Sequence, residues 1–399
     1  MARHGWYRAA RRGGSSDGKT ANAPSIDVYL YYAWLTRCQL DTLATVDVRL
    51  IIFGAAEPRL PVLGPAQTER VRKLRAAIDD DALGHELEAL PAPRVRALAP
   101  DICAALDIDL RNRFAAAGWT ARLDHFHARG VPQWGPSGRY ADVLTDADID
   151  GVNIVAGKEG ELSDAVLVLA HHDTVPGTGG ADDNGTGIVG LLELARLLGE
   201  ARFRRTVLLV AVDHEELGFH GARHLVRQMF ATGREVVAAY VFEMLGFAST
   251  EPGSQQLPRG LDLLYPGQVS RIRRNGQQAD FAAVLYQRSS RTMAALFAAA
   301  LTQLNGPTGA VLLRAPTDLP VLGPLLGRFV PFTQHFARSD HLPFWDAGLP
   351  AVQITDTANF RNPHYHQAGD VPDTVSMTQV ADVVAATALA VEILAERLG

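Results

Sequence analysis

"AVLVLAHHDTVPGTGGADDNGTGIVGLLELARLLGE" occupies residues 165–200. Its first six residues are apolar without interruption, as expected of a short strand covered on both faces in a parallel sheet. From Gly187 onward the apolar residues recur with helical spacing as far as Leu198. Between the two runs lies a glycine-rich loop carrying two histidines and three aspartates. Strand, loop and helix in that order are half of a βαβ unit, and the loop falls at the carboxyl end of the strand.

The neighbouring segments repeat the pattern. "RTVLLVAV" (205–212) reads as a second buried strand, "GARHLVRQMF" (221–230) as a helix and "EVVAAYVFEML" (235–245) as a strand. A helix is expected from about Ser290 to Leu304, a late strand at "PAVQIT" (350–355), and a closing helix from Met377. The alternation predicts an α/β fold: a three-layer α/β/α sandwich around a mixed, mostly parallel sheet. Upstream, the spacing predicts one helix over about Ala66–Leu90 and another over about Val95–Ala117, stopped by Gly118, with "WTARLDHF" as a strand. By composition the chain divides into a solvated tail at 1–25, an extension at 26–93, partly helical, and a main domain at 94–399. A Gly-, Pro-, Gln- and Arg-rich excursion interrupts that domain at about 249–290.

With 399 residues, 47% of them hydrophobic, the chain can bury a large core. A net charge of −6 gives no basic footprint, so nucleic acid is not an expected partner. Cys38 and Cys103 lie far apart and outside every charged motif, which disfavours a disulfide framework and a thiolate metal site. The basic N-terminus lacks an apolar core of signal-peptide type and no run of eighteen apolar residues follows, so the expected location is cytoplasmic, away from membranes.

The ionisable residues cluster at predicted strand ends. His171 and Asp173 follow the first strand; Asp213, Glu215 and Glu216 follow the second; Glu243 closes the third; His366 lies in a loop beyond the last. Taken singly, each motif has an ordinary structural explanation: a surface ion pair, an Asx turn capping a helix, a solvated charged turn. Taken together, they bring carboxylates and imidazoles to one rim of one sheet. Divalent cations neutralise such a crowd.

The ordered set "AHHDTV", "GGADDNGTG", "DHEELGFHGARH", "FEMLGF", "SDHLPFWDAGLPAV" and "NPHYHQAGDVPDT" resembles metallopeptidase family 28, the two-zinc aminopeptidases related to bacterial leucyl aminopeptidases and glutamate carboxypeptidase. The resemblance runs from about Arg94 to Leu398. It implies two Zn2+ ions, a peptide or aminoacyl substrate, and release of N-terminal residues by an activated water. By motif, His171 resembles a ligand of one zinc, with Asp173 orienting its ring. Asp183, three residues before Thr186, resembles the bridging ligand. Glu215 resembles the general base and Glu216 a ligand of the other zinc. Glu243 stands where many members carry aspartate, His366 resembles the last ligand, and Tyr365 the donor to the oxyanion. His172, Asp182 and His364 are expected to face away or serve turns. His214, His220 and His341 read as structural or rim residues.

Three alternatives remain at this level. A glutaminyl cyclase would use one zinc; His171 and Glu243 argue for a second site. A two-zinc carboxypeptidase or N-acyl amino acid deacylase places its bridging aspartate much farther from the first histidine. A non-catalytic binding module would not need base, ligands and tyrosine together. Oligomeric state is not encoded in any motif.

Overall fold

A computed structural model describes residues 57–134, 143–319 and 323–398. The expectations for the tail and for most of the extension lie outside these residues. The upstream helical pattern is two helices, α1 (Pro65–Ala76) and α2 (Asp80–Glu88). The break falls where Asp79 turns its carboxylate onto the backbone N–H groups of Asp81 and Ala82. A side-chain cap of this kind competes with continuation of the helix through the same residues. Helix α3 (Pro100–Ala116) starts five residues later than the apolar spacing suggests. Proline suits the first helical position and holds the preceding residue, Ala99, out of helical geometry.

The sheet has eight strands: β1 (Thr120–Trp134), β2 (Val143–Lys158), β3 (Leu162–His171), β4 (Arg205–Val212), β5 (Val236–Glu243), β6 (Ala282–Tyr286), β7 (Ala310–Arg314) and β8 (Ala351–Thr355). Their spatial order is β1-β2-β4-β3-β5-β8-β6-β7. The four central strands, β4, β3, β5 and β8, run parallel, and antiparallel pairings join them to β2 on one side and β6 on the other. The sheet is therefore mixed with a parallel centre. The strand expected at "WTARLDHF" is the first half of β1, whereas β2, β6 and β7 carry too little apolar pattern to be read ahead of the fold. The excursion closes where Ser249 and Ala279 exchange backbone hydrogen bonds, and the chain rejoins the sheet at Ala282. It is thus shorter than its composition suggests, because the buried run Ala282–Tyr286 serves as a core strand.

Helices α4 (Thr186–Leu197), α5 (His220–Thr232), α6 (Pro266–Arg274), α7 (Arg291–Asn305) and α8 (Met377–Leu394) complete the layers. Alternate strand residues face opposite ways. Val166, Val168 and Ala170 pack with α4, α7 and α8 on one face. Leu167 and Leu169 pack with α5, α6 and the aromatic segment Phe332–Trp345 on the other. Helix α8 is long and apolar enough to cross a membrane by length and composition, but 72% of it is buried inside this fold. His171, Asp213 and Glu243 thus stand at the carboxyl edge of the parallel centre, where four strand ends meet.

Candidate metal centre

The uninterrupted apolar run of β3 leaves His171 fully buried at the end of the strand. Its Nδ1 lies 3.1 Å from the backbone carbonyl of Asp173. A carbonyl only accepts, so Nδ1 donates to it and Nε2 is the nitrogen left to face the cluster. That Nε2 is buried, makes no hydrogen bond, and stands 3.3 Å from Asp183 Oδ1 and 3.5 Å from Glu243 Oε1. On the far side of Asp183, Oδ2 is 3.1 Å from His366 Nε2, which is 3.6 Å from Glu216 Oε2. Two donor groups, His171–Asp183–Glu243 and Asp183–Glu216–His366, therefore share Asp183; a third combines His171, Glu215 and Glu216. In each, the donor atoms lie within 4.8 Å of one another.

The Asp173 carboxylate lies beside the His171 ring, its Oδ1 3.5 Å from Nδ1, and it also accepts the backbone N–H groups of Glu215 (3.0 Å) and Glu216 (3.2 Å). Asp173 thus ties the end of β3 to the loop after β4. Its two contacts with His171, through backbone and side chain, fix the ring from one residue.

Three of the described non-glycine residues with positive φ lie at or beside these positions. His214, Met244 and His366 all have φ near +55° (56°, 54° and 56°), a left-handed conformation rare in residues with a Cβ. Two of them flank Glu215 and Glu243, and the third is itself a donor. Strained residues held by surrounding structure gather at functional sites.

The electrostatics show what the cluster lacks. Burial pushes Glu215, Glu216 and Asp340 well above the ordinary carboxylate range, and neighbouring carboxylates add to it: Glu243 for Glu215 and Asp340, Asp183 for Glu216. For Asp183 burial is outweighed by His171 and His366, and its carboxyl is held below that range. His171 is driven well above the ordinary histidine value, because Glu243 and its other acidic neighbours outweigh the burial that opposes its charge. Buried carboxylates in excess, with His171 Nε2 and Glu216 Oε1 lacking hydrogen bonds, fit a cation bound through nitrogen and oxygen. Nitrogen and carboxylate donors without thiolate suit zinc.

The other ionisable residues of these motifs lie outside the donor groups. His172 turns its Nε2 to the Val152 carbonyl at 3.1 Å. Asp182 accepts from Gly246 N at 2.9 Å and Asn362 Nδ2 at 2.8 Å. Asp213 accepts from Arg96 and Val152 N. His214 and His341 point to the Asp150 and Phe336 carbonyls. His364 and His220 join no donor group. Tyr365 stacks on His366 (centroids 3.8 Å apart), and its oxygen accepts from Arg338 at 2.7 Å.

Supporting residues that the motif-by-motif reading passes over are now visible. Ser339 donates to Glu243 Oε2 at 2.7 Å. Asp370 accepts the Asp182 and Asp183 N–H groups (2.8 and 3.1 Å). Asn184 bridges the Phe242 carbonyl and Met244 N–H. Asp340 is fully buried with neither oxygen hydrogen-bonded. Ser339, Asp340 and Asp370 all lie inside segments that carry the family resemblance; the available signal was adjacency to a motif, without a spacing that specifies a role.

An open α/β sheet that holds imidazoles and carboxylates around shared donor positions is the architecture of a metallohydrolase. Comparison with known proteins agrees. The model of Peptidase family M28 matches residues 153–292 and 325–391. The uncharacterized protein YfbL of Escherichia coli is 32% identical over 243 residues, 58% of this chain and 68% of YfbL. Aminopeptidase YwaD of Bacillus subtilis is 43% identical over 63 residues, 16% of this chain and 14% of YwaD. The crystal structure of the Legionella pneumophila LapA aminopeptidase shares the fold at a TM-score of 0.57 and 18% identity, covering 85% of this chain and 78% of LapA. The chain belongs to peptidase family M28 and is a zinc metallopeptidase, a hydrolase.

Proposed function

We propose that this protein is a two-zinc aminopeptidase, with His171 and Glu243 holding one ion, Glu216 and His366 the other, and Asp183 both. The observation that carries the reading is the pair of donor groups joined at Asp183. Zinc bound there would supply Lewis-acid polarisation of the scissile carbonyl and a water of lowered pKa. Glu215 is the general base. Its backbone is pinned by Asp173, its carboxyl is buried, and its elevated proton affinity suits a group that takes a proton from water and returns it to the leaving amine. Water oxygen bonds to the carbonyl carbon, the C–N bond breaks, and the amine departs with the proton carried by Glu215.

Tyr365 donates to the oxyanion. Arg338 already fills an acceptor position on its oxygen, and burial holds the phenol well above its ordinary pKa, so its proton stays in place for donation. His171 is kept in the ligating tautomer by the Asp173 carbonyl.

The test combines metal analysis with substrates. Two zinc ions per chain and hydrolysis of aminoacyl anilides with a free amine, but not of their N-acetyl forms, are expected. Glu215→Gln should keep its zinc and lose roughly 10²–10⁴-fold in kcat. One ion per chain with cyclisation of N-terminal glutamine would transfer the assignment to a glutaminyl cyclase; preference for blocked substrates would transfer it to a carboxypeptidase or deacylase.

A further inference from the structure

A pocket of about 910 Å3, its open mouth included, adjoins the centre. Glu243 and Tyr365 belong to its lining, so its mouth and the candidate centre are continuous. Inside, the walls are apolar and aromatic, among them Leu257, Ile272, Phe281, Phe332 and Phe336. Glu243 and Arg338 are the only charged side chains among the described lining residues. His335, pushed down to about 4 by burial and by Arg338, is neutral at physiological pH. A lysine, arginine, aspartate or glutamate side chain entering this space would lose its hydration without a counter-charge inside. An aromatic ring would gain edge and face contacts along the wall.

One polar group interrupts the apolar interior. Gln353, on β8, is 5% exposed and lines the pocket, and its Oε1 is buried without a hydrogen bond. The two other lining glutamines with buried amides are engaged: Gln255 accepts from Arg361 and donates to Thr357, and Gln268 donates to the Leu312 carbonyl. Register fixes the depth of Gln353. Thr355 pairs with Glu243 at the rim, and Gln353 lies two residues earlier on the same face, roughly 6–7 Å deeper at strand rise. A small aliphatic side chain entering at the rim stops short of that depth, whereas a phenol ring spans it and carries a hydroxyl at its tip.

Resting on the aminopeptidase reading, we propose that this pocket receives the side chain of the substrate's N-terminal residue and selects large aromatic residues, tyrosine foremost, through the Gln353 amide. A buried acceptor left unpaired by a ligand costs free energy that a matched hydroxyl recovers, which is how polar-tipped substrates are told from their apolar analogues. Gln353 together with the excursion and the Phe332–Phe336 segment, rather than the metal ligands, therefore sets the preference.

The test uses the zinc-loaded protein with p-nitroanilides of tyrosine, phenylalanine, leucine, alanine, lysine and glutamate. In parallel, thermal shifts are measured with L-tyrosinol, L-phenylalaninol and L-alaninol, which are not hydrolysed. We expect kcat/KM for the aromatic substrates to exceed that for alanine by roughly a hundredfold, with lysine and glutamate poorest. Gln353→Met, close in shape, should lower the tyrosine-to-phenylalanine ratio by roughly three- to tenfold. Leu285→Trp, which fills the pocket from β6 level with Gln353, should lower the aromatic-to-alanine ratio. Preference for alanine or a charged residue, or an equal loss on all substrates in Gln353→Met, overturns the proposal. Should no free-amine substrate turn over, the aminopeptidase reading fails. The pocket is then judged on the alcohols: a tyrosinol shift larger than that of alaninol and reduced by Gln353→Met sustains it, and equal shifts overturn it.

Discussion

Asp173→Asn tests the joint that holds the centre together. In the native protein both carboxylate oxygens accept backbone N–H groups, from Glu215 at 3.0 Å and Glu216 at 3.2 Å, at a residue only 4% exposed. Asparagine keeps one acceptor and turns an NH2 group toward the other N–H. One charge-assisted hydrogen bond is lost, a backbone donor is stranded, and the surviving bond becomes a neutral one. Hydrogen bonds to charged groups contribute about 1.5–3 kcal/mol, so a loss of about 2–4 kcal/mol is expected in the unfolding free energy of the zinc-free protein. The same change loosens the backbone that carries Glu216 and removes charge beside His171. Zinc affinity should therefore fall about 10–100-fold. Denaturant unfolding in chelator gives the first quantity, and competition with a chromogenic chelator gives the second. An unchanged unfolding midpoint with unchanged zinc affinity would refute the role. A fall in stability with zinc affinity intact would reduce Asp173 to a structural tie without influence on the ligands.

Two further outcomes follow from the same geometry. Tyr365→Phe should lower kcat by roughly 10²-fold with little change in KM, since the hydroxyl acts as charge develops on the carbonyl oxygen; equal kcat in variant and parent in steady-state kinetics would contradict it. In chelator, Asp370→Asn should gain stability relative to the parent as pH rises from about 4 to 7. Burial, then the charge of Asp182, pushes Asp370 up to about 7, so the folded parent holds a proton there that an unfolded carboxyl releases near its ordinary value of 3.8, and the variant has no such group. A gap between parent and variant denaturation midpoints that moves the other way across this window would show that the sign is wrong.

The chemistry was more legible in the sequence than the scaffold around it. Chemistry-bearing residues sit at the ends of uninterrupted apolar strands, so His171, Glu215, Glu216 and Glu243 could be placed on one rim before any coordinates. Strands β6 and β7 could not, because five-residue apolar runs lack a period that separates strand from helix. The helix expected over Ala66–Leu90 is divided in two for a local reason, the capping carboxylate of Asp79, and that over Val95–Ala117 is present but begins at Pro100. Asp173 and Asp340 illustrate a deeper limit. The first binds two N–H groups more than forty residues away, and the second acquires its raised proton affinity from burial beside Glu243. Neither fact exists until strands distant in sequence become neighbours.

The excursion between Ser249 and Ala279 carries a practical corollary. Ser249 and Ala279 pair at its base, and none of its residues belongs to a donor group. It nevertheless furnishes Leu257, Leu261 and Ile272 to the pocket wall. Cutting and device are therefore separable parts. A library confined to these thirty or so positions could retune which peptide ends are trimmed while every group that handles a proton or an ion stays in its native frame.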